Sequence, residues 1–318
     1  MGDRRDPIGV ILAAGAGARI RPLSHALPKP LLPVCNKPIA QHQLEAMRAI
    51  GIQDFRFVVS PLDDKVRGHF GDGSRFGVRV SYVVQSEQLG IAHAVLQCEE
   101  TVDRPVLVFL GDVYIVPKDL ATMVGLLGSH AMAVLAVRRE DDPVLMRRNF
   151  TVALRDDGTV ARVIEKPRHP ANNLKGCGIY LFDLPAFDSI RRTPKTAMRD
   201  EYEITNSIQL LIDDGHPVRV AEVVEWDMNV TSPCDLLACN RWELARRKLG
   251  SLVGADVRLA SGAAVPGSVV GDGASIVHPI TVKDCLVFPG TRVDSRGDLE
   301  AKILTPEVII SCDARVEG

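Results

Sequence analysis

Short apolar runs alternate with helix-forming stretches along the first 137 residues, and this alternation constrains the fold more than any other feature of the chain. Five runs have the length and apolarity of strands, at residues 8–13, 55–59, 80–84, 106–110 and 131–137. After the first run, Ala40, Leu44 and Met47 recur at helical spacing, and Gly51 follows as a C-cap glycine. Strands that alternate with helices form βαβ units, so the sequence predicts an α/β fold with a doubly wound, mostly parallel sheet.

The pattern changes at about residue 151. Residues 151–183 are strand-rich and contain an Asp-Asp-Gly158 turn that is typical of a hairpin. Two later stretches, 203–214 and 235–249, have the periodicity of helices. We therefore expect one large domain over residues 8–250, preceded by a disordered segment of residues 1–7.

A six-residue period begins after Gly250. Apolar residues stand at Val253, Leu259 and Val265 and, after a slip of one residue, at Val270, Ile276, Val282 and Phe288. A hexapeptide period is typical of a parallel β-helix, in which each step forms one face of a coil. The alternative is a loose β segment rich in glycine and valine. Residues 251–318 are therefore predicted to form a short β-helix.

Composition excludes several classes of protein. Lysine and arginine number 38 and aspartate and glutamate 40, so the net charge of −2 gives no general attraction to nucleic acid or to an anionic membrane. No apolar run approaches the roughly 18 residues of a membrane span. The seven cysteines are odd in number and lack a C-x-x-C pair, so neither a disulfide scaffold nor a cysteine-based zinc site is expected. The charged N-terminus lacks a signal region, and we expect a cytoplasmic protein.

The turn after the first strand carries the strongest chemical signal. The chain reads GVILAAGAGARIRPL from Gly9 and LPKPLLP from Leu27. Glycines at positions 15 and 17 allow main-chain N–H groups to approach phosphate oxygens closely. A dinucleotide-binding turn is less favoured because Ile20 stands at the third glycine of G-x-G-x-x-G, and no P-loop pattern is present. The remaining alternative is a structural turn with incidental basic residues.

This segment resembles the signature of the sugar-1-phosphate nucleotidylyltransferases, L-A-[AG]-G-x-G-[TS]-R-[LM]-x-P-L followed by P-K-[PQ]-L-x-P, with Ala18 in place of the usual threonine. The resemblance implies a Rossmann-like nucleotidyltransferase domain and a left-handed β-helix. It implies that Arg19 and Lys29 act in catalysis. It also implies a set of nucleotide-binding positions: Leu12, Ala13, Ala14, Gly15 and Gly17.

The next motif, VQSEQLGIAHA from Val84, resembles the family's base-recognition segment. A glutamine amide can pair with both a donor and an acceptor on a uracil or thymine edge, so Gln85 is predicted to bind a pyrimidine. Gly90 is expected to leave room for the base against the main chain. His93 is interpreted as a packing or solvent-facing helix residue rather than a catalyst.

Two further motifs resemble the family's metal-binding segments. Asp112, in Leu-Gly-Asp after the fourth predicted strand, matches the magnesium-binding aspartate. In EWDMNVTSPCDLL, counting four residues back from Pro233 places Asn229 at the second metal position, with Asp227 as a nearby alternative. Carboxylate and amide oxygens are hard donors suited to Mg²⁺. The resemblance therefore implies Mg²⁺ as the cofactor, bound by Asp112 and Asn229.

Two segments resemble the sugar-phosphate half of the family's site: IEKP from Ile164 and NLKGCGIYLFD from Asn173. Glu165 would accept from sugar hydroxyls, and Lys166 would neutralise the sugar phosphate and take part in catalysis. Asn173 and Gly176 are the other predicted sugar-phosphate contacts. Related enzymes carry a glycine upstream that contacts the sugar, and this chain has none in residues 148–152.

The implied reaction is attack by a sugar-1-phosphate oxygen on the α-phosphorus of dTTP or UTP, with glucose 1-phosphate as the expected acceptor and pyrophosphate as the leaving group. We expect a homo-oligomer that binds neither nucleic acid nor membrane. One alternative is a catalytically inactive member that serves as a regulatory subunit. A second is an added acetyltransferase activity, which the short tail disfavours because His278 is its only histidine.

Overall fold

The computed structural model describes residues 6–15, 17–128, 131–170, 172–197 and 200–312, so most of the predicted disordered segment and residues 313–318 lie outside the described part. The helices of the described part are α1 Leu23–Ala26, α2 Ile39–Ala49, α3 Asp64–Phe70, α4 Ile91–Leu96, α5 Leu120–Leu126, α6 Pro143–Arg148, α7 Ala186–Arg191, α8 Ile204–Asp213 and α9 Pro233–Arg246. Not one of these helices is long and apolar enough to cross a membrane.

The strands fall into two groups along the chain. The first group is β1 Ile8–Leu12, β2 Pro33–Val34, β3 Lys37–Pro38, β4 Asp54–Val59, β5 Arg79–Val84, β6 Val106–Leu110, β7 Val113–Pro117, β8 Ala133–Arg139, β9 Phe150–Leu154, β10 Val160–Glu165, β11 Leu174–Phe182, β12 Val218–Ala221 and β13 Val224–Asn229. The second group is β14 Leu252–Val253, β15 Arg258–Leu259, β16 Val269–Val270, β17 Ser275–Ile276, β18 Val282–Lys283, β19 Leu286–Val287, β20 Arg292–Val293, β21 Leu299–Glu300, β22 Lys302–Leu304 and β23 Ile309–Ser311.

The chain has two compact units. The first comprises the described residues of 6–15 and 42–227, and the second comprises those of 17–41 and 228–312. The predicted domain boundary at residue 250 stays a prediction.

The first unit is built on a sheet with the order β10-β9-β11-β6-β1-β4-β5, to which β8 and β12 add beside β11. Strands β6, β1, β4 and β5 are parallel, and β11 runs antiparallel to β6. The interiors of β1 and β6 are buried, as their uninterrupted apolarity predicts. The predicted α/β fold with a doubly wound sheet is confirmed.

The hairpin predicted at Gly158 is confirmed as well. Strands β9 and β10 pair antiparallel across it, and Gly158 has a φ of 78°, which favours glycine in such a turn. The predicted helices at 203–214 and 235–249 correspond to α8 and α9.

The second unit contains a stack of two- and three-residue parallel strands. Leu252, Val269, Leu286 and Ile303 are partners in successive strands, so each coil takes 17 residues. The same 17-residue register joins β15 to β17 and β20, and β18 to β21. A coil one residue shorter than three hexapeptides accounts for the slip in the sequence period, and these sheets form the short parallel β-helix. Its core includes the periodic residues Val270, Ile276 and Val282, with Val265 packed against them, whereas Val253 and Leu259 at the start of the period are exposed.

One disulfide was not foreseen from the sequence. Cys234, at the start of α9, forms a disulfide with Cys312, with a Cα–Cα distance of 5.3 Å. The two residues are separated by 78 positions, and only the folding of β22 and β23 back beside α9 brings them together. Cysteine count and spacing could not predict this pair, because both depend on the sequence alone.

Candidate active site

The predicted site residues of the first unit lie along one edge of its sheet. Gly15 follows β1, Gln85 follows β5 directly, and Asp112 follows β6. These are the carboxyl ends of parallel strands, where open α/β sheets bind ligands. The sequence prediction that these three segments share an edge is confirmed.

Hydrogen bonds tie these segments to one another. The N–H of Gly111 donates to the carbonyl of Leu12 at 3.0 Å, and the N–H of Ala13 donates to the carbonyl of Val58 at 2.7 Å. The Nε2 of Gln88 donates to the carbonyl of Ala14 at 2.6 Å. The start of the signature turn is therefore held against both the segment predicted to bind the metal and the segment predicted to bind the base.

Gln43 is a functional candidate that the sequence reasoning missed. It is 1% exposed, and its Nε2 donates to the carbonyls of Leu110 and Val113, each at 2.8 Å. These two carbonyls flank Gly111 and Asp112, so one amide holds both sides of the turn that presents the carboxylate. The available signal was a polar residue on the apolar face of α2, between Ala40 and Leu44.

The structure explains the glycine at position 90 differently from the sequence analysis. Its φ is 106°, and a Cβ there would lie 2.6 Å from the carbonyl oxygen of Tyr202. The main chain of Tyr202 also bonds on both sides of Gly90, to the carbonyl of Leu89 and the N–H of Ala92. The missing side chain therefore makes room for the chain itself. The base contact predicted for Gly90 remains a prediction.

The predicted sugar-phosphate residues reach the same edge from the other half of the sheet. Thr151, in β9, is the partner of Ile164 on one side and of Lys175 on the other, so the end of β10 and the beginning of β11 flank the same end of β9. Because β11 is antiparallel to β6 with Ile179 opposite Phe109, residues 174–177 continue past the point where β6 ends. The edge at which β1, β5 and β6 end thus continues along the other half of the sheet.

Glu165 and Lys166 form an ion pair at this end, with 3.6 Å between carboxylate and ammonium. Their side chains are 31% and 41% exposed, so both can reach a ligand. Lys166 has a φ of 44°, a conformation that costs a side-chain-bearing residue of order 1 kcal/mol, and its N–H donates to the carbonyl of Asn149 at 3.1 Å. Such strained residues cluster at functional sites.

The other two predicted sugar contacts have structural partners. The amide of Asn173 donates to Asp141 at 3.1 Å. A Cβ on Gly176 would lie 2.1 Å from the ring of Phe150, so this glycine is needed for packing. Their roles toward a sugar phosphate stay predictions.

Asp227, the alternative metal ligand, is committed to other partners. Both of its oxygens accept from the Nζ of Lys175 at 2.8 Å, and one accepts from the Nε of Arg138 at 2.5 Å. Its side chain is 1% exposed. A carboxylate so enclosed by cations has little capacity left for a metal ion, and Asn229 is therefore the better candidate.

In the second unit, the continuation of the signature is organised around Gly17 and Lys29. Gly17 has a φ of 62°, and a Cβ there would lie 3.3 Å from the Cγ of Lys29. Lys29 is 6% exposed, while Arg19 is exposed. Glycine is thus required both by the left-handed turn and by the packing of the lysine stem. Gly15 has no positive φ, and no atom lies within 4 Å of the position that a Cβ would take. The space beside Gly15 is therefore open.

Asn229 ends β13, and the turn after it is stabilised by a capping box. Asp235 accepts from the N–H groups of Thr231 and Ser232 at 2.9 and 2.6 Å, and its own N–H donates to the hydroxyl of Ser232. The aspartate of P-x-D-L therefore acts as a helix cap in this chain.

Asn240 connects this helix to the lysine-bearing segment. Its Nδ2 donates to the carbonyl of Pro33 at 2.9 Å, and its Oδ1 accepts from the N–H of Cys35 at 2.7 Å. Like Gln43, Asn240 was missed although it is a polar residue on an apolar helix face, four residues after Leu236 and four before Leu244. Within the second unit, this buried amide therefore links the segment after Lys29 to the helix after Asn229.

Two buried cysteines of the first unit are poor candidates for a nucleophile. Burial raises the pKa of the Cys98 thiol to about 12 and holds that of Cys177 well above its usual range, so neither is a thiolate nucleophile. Within the described ranges, no group of three or more histidine, cysteine, aspartate or glutamate side chains forms a metal cage.

Comparison with known proteins identifies the family of the chain. Residues 8–228 match the nucleotidyl transferase family model. A glucose-1-phosphate thymidylyltransferase of Streptomyces griseus is 33% identical over 335 residues, which cover 95% of this chain and 93% of the relative. A UTP–glucose-1-phosphate uridylyltransferase of Haloferax volcanii is 34% identical over 227 residues, which cover 71% of this chain and 92% of the relative.

A solved structure gives the same result. The crystal structure of a protein from Bacillus anthracis, described as a glucose-1-phosphate thymidylyltransferase in complex with a sucrose, has a TM-score of 0.66 and 28% identity, and covers 75% of this chain and 95% of that one. The chain therefore belongs to the sugar-1-phosphate nucleotidylyltransferases, enzymes that make nucleotide sugars from sugar 1-phosphates.

Proposed function

We propose that this protein transfers a nucleotidyl group from dTTP or UTP to a sugar 1-phosphate, with glucose 1-phosphate as the first candidate, and that it requires Mg²⁺. The observation that carries the proposal is the shared sheet edge of the first unit. There the start of the signature turn, Gln85, Asp112 and the Glu165–Lys166 pair all follow or flank strand ends. A nucleotide half and a sugar-phosphate half on one edge suit two phosphorylated substrates.

In the proposed reaction, an oxygen of the sugar phosphate forms a bond to the α-phosphorus of the triphosphate as the bond to the β-phosphate oxygen breaks. Pyrophosphate leaves with that electron pair. The attacking oxygen is already anionic, so no general base is needed. The work of the protein is then to align the two substrates and to neutralise charge.

Each proposed residue has one task in this scheme. Main-chain groups of residues 12–15 and Gly17 hold the triphosphate, Arg19 and Lys29 offset its charge, and Gln85 reads the base. Glu165 accepts from sugar hydroxyls, and Lys166 holds the sugar phosphate. Asp112 and Asn229 would hold the Mg²⁺, which, when bound, supplies positive charge against the phosphate oxygens.

The test is a matrix of triphosphates against sugar 1-phosphates. Purified protein is given dTTP, UTP, CTP, ATP or GTP together with the 1-phosphates of glucose, galactose, mannose or N-acetylglucosamine, and pyrophosphate release is measured with Mg²⁺ and with EDTA. A buried amide left unpaired by the wrong base costs about 1–3 kcal/mol, so dTTP or UTP should exceed ATP and GTP by about ten- to hundredfold in kcat/KM.

Two outcomes would contradict the proposal. Equal kcat/KM for GTP and UTP would remove the base-recognition role of Gln85. Absence of pyrophosphate release from every pair would favour the inactive regulatory member instead.

A further inference from the structure

The imidazole of His93 lies between two glutamine amides. Its Nδ1 is 2.9 Å from the Nε2 of Gln85, and its Nε2 is 3.3 Å from the Nε2 of Gln97. Gln85 is 4% exposed, and the histidine ring stacks on Tyr202 with 6.1 Å between ring centroids. All of these residues belong to the first unit, and the glutamine on the Nδ1 side is the proposed base contact.

The donors and acceptors of this arrangement determine where the ring proton lies. A neutral imidazole has one N–H and one acceptor nitrogen, so it cannot accept from both amides. The amide nitrogen of Gln97 also lies 3.2 Å from the carbonyl oxygen of His93. A carbonyl oxygen can only accept a hydrogen bond, so this end of the Gln97 amide is the NH₂ group. Gln97 therefore donates to the ring Nε2, which leaves the proton on Nδ1.

The same reasoning orients the amide of Gln85. A protonated Nδ1 needs an acceptor, and the two ends of an amide occupy nearly the same space. The two ends of the Gln85 amide are therefore exchanged, so that Oε1 rather than Nε2 lies beside the ring and accepts from Nδ1–H. The NH₂ group of Gln85 is turned away from the ring.

We propose that His93, held in its Nδ1–H tautomer by Gln97, is a positioning residue that makes the site select uracil or thymine over cytosine. The inference rests on the proposed function, because it takes Gln85 as the base contact. An NH₂ group pairs with the C4 carbonyl of uracil or thymine and opposes the amino group at C4 of cytosine. The second lone pair of Oε1 can accept from N3–H, which cytosine lacks.

The first test measures the tautomer and needs no substrate. Protein labelled with ¹⁵N-histidine is studied by long-range ¹H–¹⁵N correlation, and the His93 signals are assigned by their loss in His93→Asn. The expected result is a protonated Nδ1 and an unprotonated Nε2. A ring protonated on Nε2 would overturn the inference. In Gln97→Leu the Nε2–H form should appear, and an unchanged tautomer there would remove the role given to Gln97.

The second test measures base selectivity. The amide nitrogen of an asparagine can replace Nδ1 of histidine, whereas that of a glutamine replaces Nε2, so His93→Asn and His93→Gln form a matched pair. The kcat/KM values for UTP, dTTP and CTP are compared at saturating sugar 1-phosphate. His93→Gln should reduce the preference for UTP or dTTP over CTP by about tenfold, and His93→Asn should retain most of it.

The outcomes separate this inference from the proposed function. Equal losses for all three triphosphates in His93→Gln, or the same loss of selectivity in both variants, would show that His93 only supports the fold. If the wild-type protein releases no pyrophosphate from UTP or dTTP, the proposed function fails, and the tautomer measurement still decides the geometry.

Discussion

Lys175 places its Nζ 2.8 Å from each carboxylate oxygen of Asp227, and the two side chains are 3% and 1% exposed. Arg138 contacts the same carboxylate from β8. Two cations around one buried anion offset the cost of removing it from water. Asp227 lies in β13, which ends at Asn229, so this charged cluster supports the strand that ends at the proposed metal ligand.

Removing one partner should leave this cluster poorly compensated. We expect Lys175→Met to lower the free energy of unfolding by about 3 kcal/mol, because the buried carboxylate of Asp227 then loses one of its two cationic partners. Urea unfolding of the purified variant measures the change. Lys283→Met is the matched control, since the Lys283–Glu300 pair is solvent-exposed, and it should change stability much less. Similar losses in the two variants would contradict the role given to burial.

Gln43 should matter for turnover because it holds the turn that carries Asp112. Gln43→Leu removes two hydrogen bonds to main-chain carbonyls, and we expect kcat to fall by about tenfold or more while the Mg²⁺ concentration for half-maximal activity rises. Gln53→Leu, at an exposed glutamine before β4, is the control and should leave both values unchanged. A Mg²⁺ requirement equal to that of the wild type would argue against this role.

Asp112→Asn tests the proposed metal ligand itself. Charge stabilisation at a metal site is worth several kcal/mol, so kcat should fall by several orders of magnitude with the fold intact. Circular dichroism checks the fold, and EDTA should abolish wild-type activity. Asp103→Asn, at an exposed aspartate before β6, should behave as the wild type. Near-normal activity of Asp112→Asn would exclude this metal assignment.

Substitutions of Lys166 and Lys29 should affect the use of different substrates. Lys166→Ala is expected to raise the KM for sugar 1-phosphate, and Lys29→Ala to reduce kcat or triphosphate use, each by about ten- to hundredfold for one lost charge-assisted contact. A fall in kcat with Lys166→Ala would indicate that Lys166 also contacts the α-phosphate in the transition state. The KM of each substrate is measured at saturating partner. Should Lys166→Ala change neither sugar-phosphate KM nor kcat, the Glu165–Lys166 pair is only a solvated strand end.

The disulfide between Cys234 and Cys312 should stabilise the second unit. Closing a loop of 78 residues restricts the unfolded chain by roughly 4 kcal/mol. A reductant should therefore lower the unfolding midpoint of the wild type, and Cys312→Ser should have the lowered midpoint with or without reductant. No effect of the reductant on the wild type would contradict the contribution of this bond.

Local pattern determined much of the fold. Uninterrupted apolar runs predicted β1 and β6, helical spacing of Ala40, Leu44 and Met47 predicted α2, and the six-residue period predicted the short β-helix. These features depend on residues close in the chain, where side-chain spacing sets which face is buried. The shared edge for Gly15, Gln85 and Asp112 followed from strand direction alone, since parallel strands end on the same side of a sheet.

Contacts between distant residues could be decided only by the tertiary structure. Nothing in the local sequence of Asp227 distinguishes a metal ligand from a buried partner of Lys175, 52 positions away. The same holds for the disulfide to Cys312, for the packing of Gly176 on Phe150 and for the hold of Gln43 on the Asp112 turn. The sequence determined which residues stand at strand ends, because that depends on spacing along the chain. Which of their side chains are left to meet a substrate depends on the neighbours that folding brings, and these set the hydrogen bonds and charges around each group.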